Sequence, residues 1–395
     1  MKLSNLNVKG FRSFKQISWS PCSFNIIIGP NGSGKSNLLK LFDLIKRSAD
    51  GELEDYILRE GGFERLLWDG LVDEIDVTLR FLSAEEEHDI FTEDLMYQLL
   101  IRKTGYAGDY QIKSEILGYS NIPPGTTEHF RYLQRTPSSA SLQSKDENAI
   151  FPFADMNPKE TLLSQTTTPF TKNHVSSRFQ NMISSWKIYQ SLDTSPESVI
   201  RRPTVTRRDT NLAGDGTNLI SVLHTLYTTD REFEKSIDMA MVAAFGEDFD
   251  TLVFPPAADN QVQLRIRWKT VQQEQSAADI SDGTLRYLFL LTILAHPKPG
   301  SLIAIDEPET GLHPAMMRII AEYAEEISKQ TQVVITTHSA EFLTACSDCI
   351  PCTSVIQWQD GASIIHQISE EKLTFWLQDY TLGTLFSTGE LEGME

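Results

Sequence analysis

The sequence predicts an α/β fold: a mostly parallel sheet flanked by helices, with antiparallel strands at the amino terminus and an inserted α+β lobe. Three observations carry this reading. The apolar run Phe24-Asn25-Ile26-Ile27-Ile28 passes through a glycine-rich turn into the helical pattern Asn37-Leu38-Leu39-Lys40-Leu41-Phe42. A second apolar strand, residues 301–305, ends in the adjacent carboxylates Asp306 and Glu307. A third, residues 332–337, ends on His338, far enough beyond Glu307 for one crossover helix and a parallel neighbour.

The turn Gly29-Pro30-Asn31-Gly32-Ser33-Gly34-Lys35-Ser36 fits G-x-x-x-x-G-K-[ST] in the strand–turn–helix setting that this pattern requires. Its glycines let consecutive backbone N–H groups curl round the β-phosphate of a nucleoside triphosphate, and the new helix points its positive end at the same anion. Lys35 is placed to reach the β- and γ-oxygens and Ser36 to hold Mg²⁺, and positions 29–37, Asn37 included, form the predicted nucleotide site.

The long stretch that follows contains no sustained heptads. Pro123-Pro124, Thr136-Pro137-Ser138-Ser139 and Thr166-Thr167-Thr168-Pro169 punctuate it as loops, so it reads as a compact lobe rather than long helices. Within it, 95–101 and 110–117 are predicted strands and 179–189 a helix; 218–226 and 232–245 form a helical pair returning to the head. The expected boundaries are 1–84 for the first part of the head, 85–215 for the lobe and 216–395 for the rest of the head.

Ile280-Ser281-Asp282-Gly283-Thr284 precedes the apolar helical run 285–291. A serine and a glycine at a helix start leave N–H groups and a positive dipole end able to bind a γ-phosphate presented by another subunit. Ser281-Asp282-Gly283 is equally an ordinary N-cap and turn. In the strand that follows, neighbouring side chains point to opposite faces, so Asp306 and Glu307 divide the work: Asp306 accepts from the Mg²⁺ shell and Glu307 polarises the attacking water. His338 is placed to sense the γ-phosphate.

Walker A, Ser-Asp-Gly-Thr, Ile-Asp-Glu-Pro-Glu-Thr-Gly-Leu-His-Pro and Thr-Thr-His-Ser, in this order, resemble the RecF/SMC-like branch of ABC-type ATPases. The opening Leu6-Asn7-Val8-Lys9-Gly10-Phe11-Arg12-Ser13-Phe14 is similar to the first strand and Phe-Arg-x-Phe turn of that branch, which implies that Arg12 lies near the nucleotide phosphates. Trp376-Leu377-Gln378-Asp379-Tyr380-Thr381-Leu382-Gly383 and Gly389-Glu390-Leu391 resemble the tail of its small "predicted ATPase" group. The resemblance implies a P-loop NTPase head of ABC type that converts ATP and water to ADP and phosphate with Mg²⁺. It also implies a homodimer, or a higher oligomer, closed around ATP with each Ser281 acting in trans. The sequence departs from the pattern at Asp282 and Thr284, where transporter ATPases carry glycine and glutamine. No glutamine is assigned to the Q-loop, for whose place Gly61-Gly62-Phe63-Glu64-Arg65 is the candidate.

With 395 residues, 40% of them hydrophobic, the chain can bury one large core and a smaller lobe. It opens without a basic-then-apolar leader, and the longest apolar run, 287–295, is too short to span a bilayer, so no membrane partner is expected. Four cysteines in this length suit a reducing, cytoplasmic setting. Cys346, Cys349 and Cys352 have the spacing of a metal site but no fourth nearby ligand, and they straddle a helix exit and a strand, where small buried thiols are usual.

The net charge of −19 argues against a protein that coats DNA unaided, so any nucleic-acid surface must be local. The best candidate is Arg201, Arg202, Arg207 and Arg208 with Arg265, Arg267 and Lys269 on the predicted strand 262–268; a solvated sheet edge is the favoured reading of the same residues. Three functions therefore compete. One is an ATPase that dimerises on ATP and gates a separate effector, a nuclease, in DNA repair or anti-phage defence. The others are a stand-alone DNA-binding clamp or loader and a transporter motor subunit. Asp348, Asp360, Glu370, Glu371 and Asp379 after His338 include no D-x-D pair for a two-metal nuclease, which places cleavage on another chain.

Overall fold

The computed structural model describes residues 1–83, 93–105, 108–122, 129–144, 149–153, 156–166, 174–190 and 192–393. The loop readings at Pro123-Pro124 and Thr167-Thr168-Pro169 lie outside them. The chain opens with an antiparallel hairpin, β1 (Lys2–Phe11) and β2 (Phe14–Trp19), turned by Arg12 and Ser13. Next come β3 (Phe24–Ile28), the helix α1 (Lys35–Asp50) and α2 (Leu53–Arg59). β4 (Glu74–Leu82), β5 (Leu95–Thr104), β6 (Asp109–Tyr119), β7 (Arg131–Arg135), β8 (Ala140–Ser144) and β9 (Ala149–Pro152) then extend the hairpin into an eight-stranded antiparallel sheet ordered β2-β1-β4-β5-β6-β7-β8-β9. Period-two alternation explains it: Ile75, Val77, Leu79 and Phe81 of β4 and Leu95, Tyr97, Leu99 and Ile101 of β5 all bury the same face.

Beyond α3 (Leu162–Gln165), α4 (His174–Ser184) packs on α1, where Trp186 meets Phe42 edge-on at 5.5 Å between centroids. The predicted helix 179–189 ends at Ser184, and Lys187–Tyr189 is instead a strand, β10. The chain continues through β11 (Thr204–Val205), α5 (Leu219–Thr229), α6 (Arg231–Phe245), β12 (Phe249–Val253), β13 (Pro256–Ala257), β14 (Gln261–Val262), β15 (Arg265–Trp268), β16 (Gln275–Ser276) and α7 (Asp282–Leu294). It closes with β17 (Leu302–Asp306), α8 (Pro314–Ser328), β18 (Gln332–Thr337), α9 (Ala340–Ala345), β19 (Cys352–Gln359), β20 (Ala362–Gln367), α10 (Glu370–Trp376), α11 (Leu382–Ser387) and α12 (Glu390–Gly393). β10 is a strand because it pairs in parallel with β17, which would otherwise carry an open edge. The predicted strand 262–268 is two strands in separate small sheets, because Gln263 N–H turns to the carbonyl of Pro255 between them.

The second large sheet runs β10-β17-β18-β3-β19-β20, parallel except for β20. Its alternate residues feed two cores. Ile27, Leu302, Ala304, Val334 and Ile356 pack with α1 and the antiparallel sheet, whereas Ile26, Ile28, Ile303, Ile305, Val333 and Ile335 pack under α5 to α8. β3 and β18 are buried on both faces along their whole length, and their polar residues Asn25, Gln332, Thr336 and Thr337 are buried with the rest.

The cysteines depart from their reading as reduced thiols. The register that sets Cys352 beside Asn25 brings it within 6.2 Å (Cα–Cα) of Cys22, and the two form a disulfide. The C-x₂-C-x₂-C spacing is thereby divided, leaving Cys346 and Cys349 free. Among the described residues, no helix is long and apolar enough to cross a membrane.

Candidate functional site

Register brings three predicted motifs to one end of the parallel sheet. Asp306 lies beside Thr336, and Thr337 beside Ile28, so the segments leaving β17, β18 and β3 at their carboxyl ends begin next to one another. Such a sheet end, where loops and helix starts converge, is where open α/β sheets bind ligands.

The loop after β3 depends on glycine. At Gly29, with φ +153°, a Cβ would sit 2.1 Å from the carbonyl oxygen of Ile356; at Gly34, with φ +112°, it would meet Ser363 Oγ at 2.4 Å and Ser13 Oγ at 2.7 Å. The loop therefore lies flush against β19, β20 and the β1–β2 turn, and Asn37 Nδ2 ties α1 to that turn through Ser13 Oγ at 2.8 Å. Pro30, Asn31, Gly32 and Ser36 are exposed. Lys35 is buried, its Nζ donating to the carbonyls of Gly29 (2.8 Å) and Pro30 (3.2 Å). Burial lowers its pKa, against the pull of Glu307, Asp306 and Glu309. The hydroxyl of Ser33 is buried with no partner among the described residues. A cradle closed to a Cβ at Gly29 and Gly34, a buried ammonium resting on carbonyls and an orphaned hydroxyl are what a polyphosphate anion fits.

At the end of β17 the chain takes a turn that strand alternation does not anticipate. Asp306 accepts a hydrogen bond from Thr336 Oγ1, but Glu307 leaves the strand in a left-handed conformation, φ +47°, with its N–H on the Thr336 carbonyl at 3.0 Å. That turn, rather than the two faces of a strand, separates the carboxylates. Glu307 Oε1 lies 2.9 Å from His338 Nδ1. Beneath them Glu309, 6% exposed, accepts from Thr337 Oγ1 at 2.6 Å and from His338 N–H at 3.3 Å, while its Oε2 is buried without a partner among the described residues. Burial raises the Glu309 pKa. Nothing in Pro308-Glu309-Thr310 marks this glutamate as buried; only the fold does.

Ser281, Asp282 and Gly283 form a second cluster. The Ser281 hydroxyl caps α7, accepting from Thr284 N–H at 3.2 Å, and Gly283 is so close to the loop leaving β17 that a Cβ would stand 2.6 Å from the Gly311 carbonyl. Arg201 organises the approach. Its guanidinium, 8% exposed, donates to the carbonyls of Thr194 (2.9 Å), Ala277 (3.0 Å), Ala278 (3.2 Å) and Ile280 (2.7 Å) and pairs with Asp282.

The Arg12-Ser13 turn touches the loop through Ser13, while the Arg12 guanidinium pairs with Glu60, which Lys40 also approaches at 3.4 Å. The other arginines behave as a charged sheet edge. Arg267 bonds Glu274 at 2.8 Å, Arg265 approaches the same carboxylate at 3.9 Å, and Lys269 lies 3.7 Å from Glu247; Arg202, Arg207 and Arg208 are exposed.

Residues 24–344 match a family model described as "AAA domain, putative AbiEii toxin, Type IV TA system". Two solved structures share the fold over nearly the whole chain. One is an SmcHead bound to the C-winged helix domain of ScpA, at 16% identity and TM-score 0.56, covering 95% of this chain and 100% of that one. The other is an Smc head with an extended coiled coil bound to the C-terminal domain of ScpA, from Pyrococcus furiosus, at 14% identity and TM-score 0.54, covering 96% of this chain and 99% of that one. No curated protein matches the chain by sequence.

Proposed function

The chain belongs to this AbiEii-type AAA domain family, with the fold of an SMC head, and from that premise we propose that it binds ATP at residues 29–37 and hydrolyses it to ADP and phosphate. The observation that carries the reading is the meeting of the glycine-bound loop, the Asp306–Glu307 turn and His338 at adjacent strand ends. Lys35 moves its ammonium from loop carbonyls to the β- and γ-oxygens. Ser36 and Asp306 would hold Mg²⁺, which when bound neutralises charge on those oxygens. Glu307 orients and deprotonates the attacking water, and His338 fixes the rotamer of that carboxylate. Arg12 would have to leave Glu60 to add positive charge beside the loop.

The exposed start of α7 suits recognition in trans: two heads packed with twofold symmetry each offer Ser281 and Gly283, with Asp282 between them, to the other's nucleotide. Such a dimer gates a separate effector, a nuclease in DNA repair or anti-phage defence. The family description, which names a toxin–antitoxin system, and the binding of similarly folded heads to ScpA domains support a partner-gated role. A stand-alone DNA clamp is less favoured, because Arg201, Arg265 and Arg267 are engaged with carbonyls and carboxylates.

Glu307→Gln should keep ATP binding by calorimetry, lose about a hundredfold or more in turnover, and run as an ATP-dependent dimer on size exclusion. Turnover at the wild-type rate would remove Glu307 from this role.

A further inference from the structure

A triphosphate held at residues 29–37 still has a base and ribose to place. The order of the parallel sheet decides where they go. β17 and β18, which carry Glu307 and His338, lie on one side of β3, and β19 lies on the other. A phosphate chain whose terminal group faces Glu307 and His338 therefore leaves the loop toward β19. β19 runs parallel to β3 with Val355 beside Ile28, so its next residues travel alongside the loop. Two residues past the Ile356 carbonyl that abuts Gly29 stands Trp358, 57% exposed. It walls a cavity of about 600 Å³ together with Pro30, Asn31, Gly32, Ser33 and Gln357, a volume in the range of small-molecule sites.

The hairpin that carries the indole is firmly mounted. Asp360 and Gly361, both with positive φ, close a two-residue hairpin between the pair Gln359 and Ala362. Trp68 Nε1 donates to the Gly361 carbonyl at 3.1 Å, Ser363 N–H to the Ser13 carbonyl at 2.8 Å and Ser363 Oγ to the Ser33 carbonyl at 2.5 Å. The hairpin is thus fastened both to the nucleotide loop and to the β1–β2 turn, while one large aromatic side chain on it is left in solvent beside that loop.

We propose that Trp358 is the platform on which the nucleobase stacks, and that this cavity is the base and ribose subsite. The proposal rests on the nucleotide reading of residues 29–37. Stacking on an indole uses the π-face common to every base, so the platform contributes affinity without choosing strongly between adenine and guanine.

Calorimetric titration with ATP, GTP and inorganic tripolyphosphate, which has no base, separates the two readings. Wild-type protein should hold ATP and GTP alike and both about tenfold or more tighter than tripolyphosphate. Trp358→Ala should weaken ATP by that factor, leave tripolyphosphate unchanged and raise KM with kcat nearly constant; Trp358→Phe should keep most of the affinity. ATP binding indifferent to Trp358→Ala but abolished by Lys35→Ala overturns the platform and leaves the loop assignment standing. Loss of tripolyphosphate along with ATP in Trp358→Ala also overturns it, because the indole would then be supporting the loop. Wild-type protein that binds neither ligand overturns both readings.

Discussion

Glu309 shows what a side chain can do without touching a ligand. Buried beneath Glu307 and His338, it holds Thr337 and the His338 backbone from one oxygen, and so fixes the end of β18. Glu309→Gln keeps an acceptor there, and turnover should stay within a few-fold of wild type; Glu309→Ala should lower kcat about ten- to a hundredfold with KM little changed. The pH dependence follows from the raised pKa. In the fold the Glu309 carboxyl keeps its proton to higher pH than in the unfolded chain, so raising the pH through the ordinary carboxylate range favours unfolding. The melting temperature of wild type should therefore fall relative to that of Glu309→Gln between about pH 4 and 7, by scanning calorimetry. Parallel curves would mean that the carboxyl ionises as freely in the fold as outside it. Among residues, the loop glycines, Lys35, Asp306, Glu307 and His338 were legible because each sits at fixed spacing in a motif. Glu309 and the left-handed turn at Glu307 were not, since both depend on Thr336 and Thr337 of another strand.

Among elements, legibility tracked self-sufficiency. β3, β17, β18, α5 and α6 were readable because each carries its own apolar pattern and its own turn signals. The end of α4 and the break between β14 and β15 were not, because partner strands and distant carbonyls decide them. Arg201 is the clearest instance: it belongs to an arginine cluster in sequence, yet in the fold it clamps the turn that starts α7. A lysine cannot reproduce its planar fork on several carbonyls. Arg201→Lys and Arg201→Ala should both retain nucleotide binding yet lose most ATPase activity, with a stability loss of about 2–4 kcal/mol for the alanine variant by denaturant titration. Unchanged turnover in both would reduce Arg201 to a surface contact.

For the whole molecule, the order of motifs along the chain made the fold class legible, while the disulfide stayed hidden. Cys22 and Cys352 are 330 residues apart, and only the order of the parallel sheet makes them neighbours. A peptide map run without reductant should recover the linked Cys22 and Cys352 peptides, and reduction should cost about 2–4 kcal/mol of stability. Identical maps and melting temperatures with and without reductant would mean that the thiols are free, as a reducing compartment would keep them. A second long-range junction, the bare approach of Gly283 to the Gly311 carbonyl, sets the start of α7 directly against the loop leaving β17. Under the proposed function, a nucleotide at Glu307 that shifts this junction would alter affinity at Ser281, and by the same factor in reverse. In the proposed dimer the two clefts would then fill as a correlated pair, and the saturation curve would bend away from a simple hyperbola.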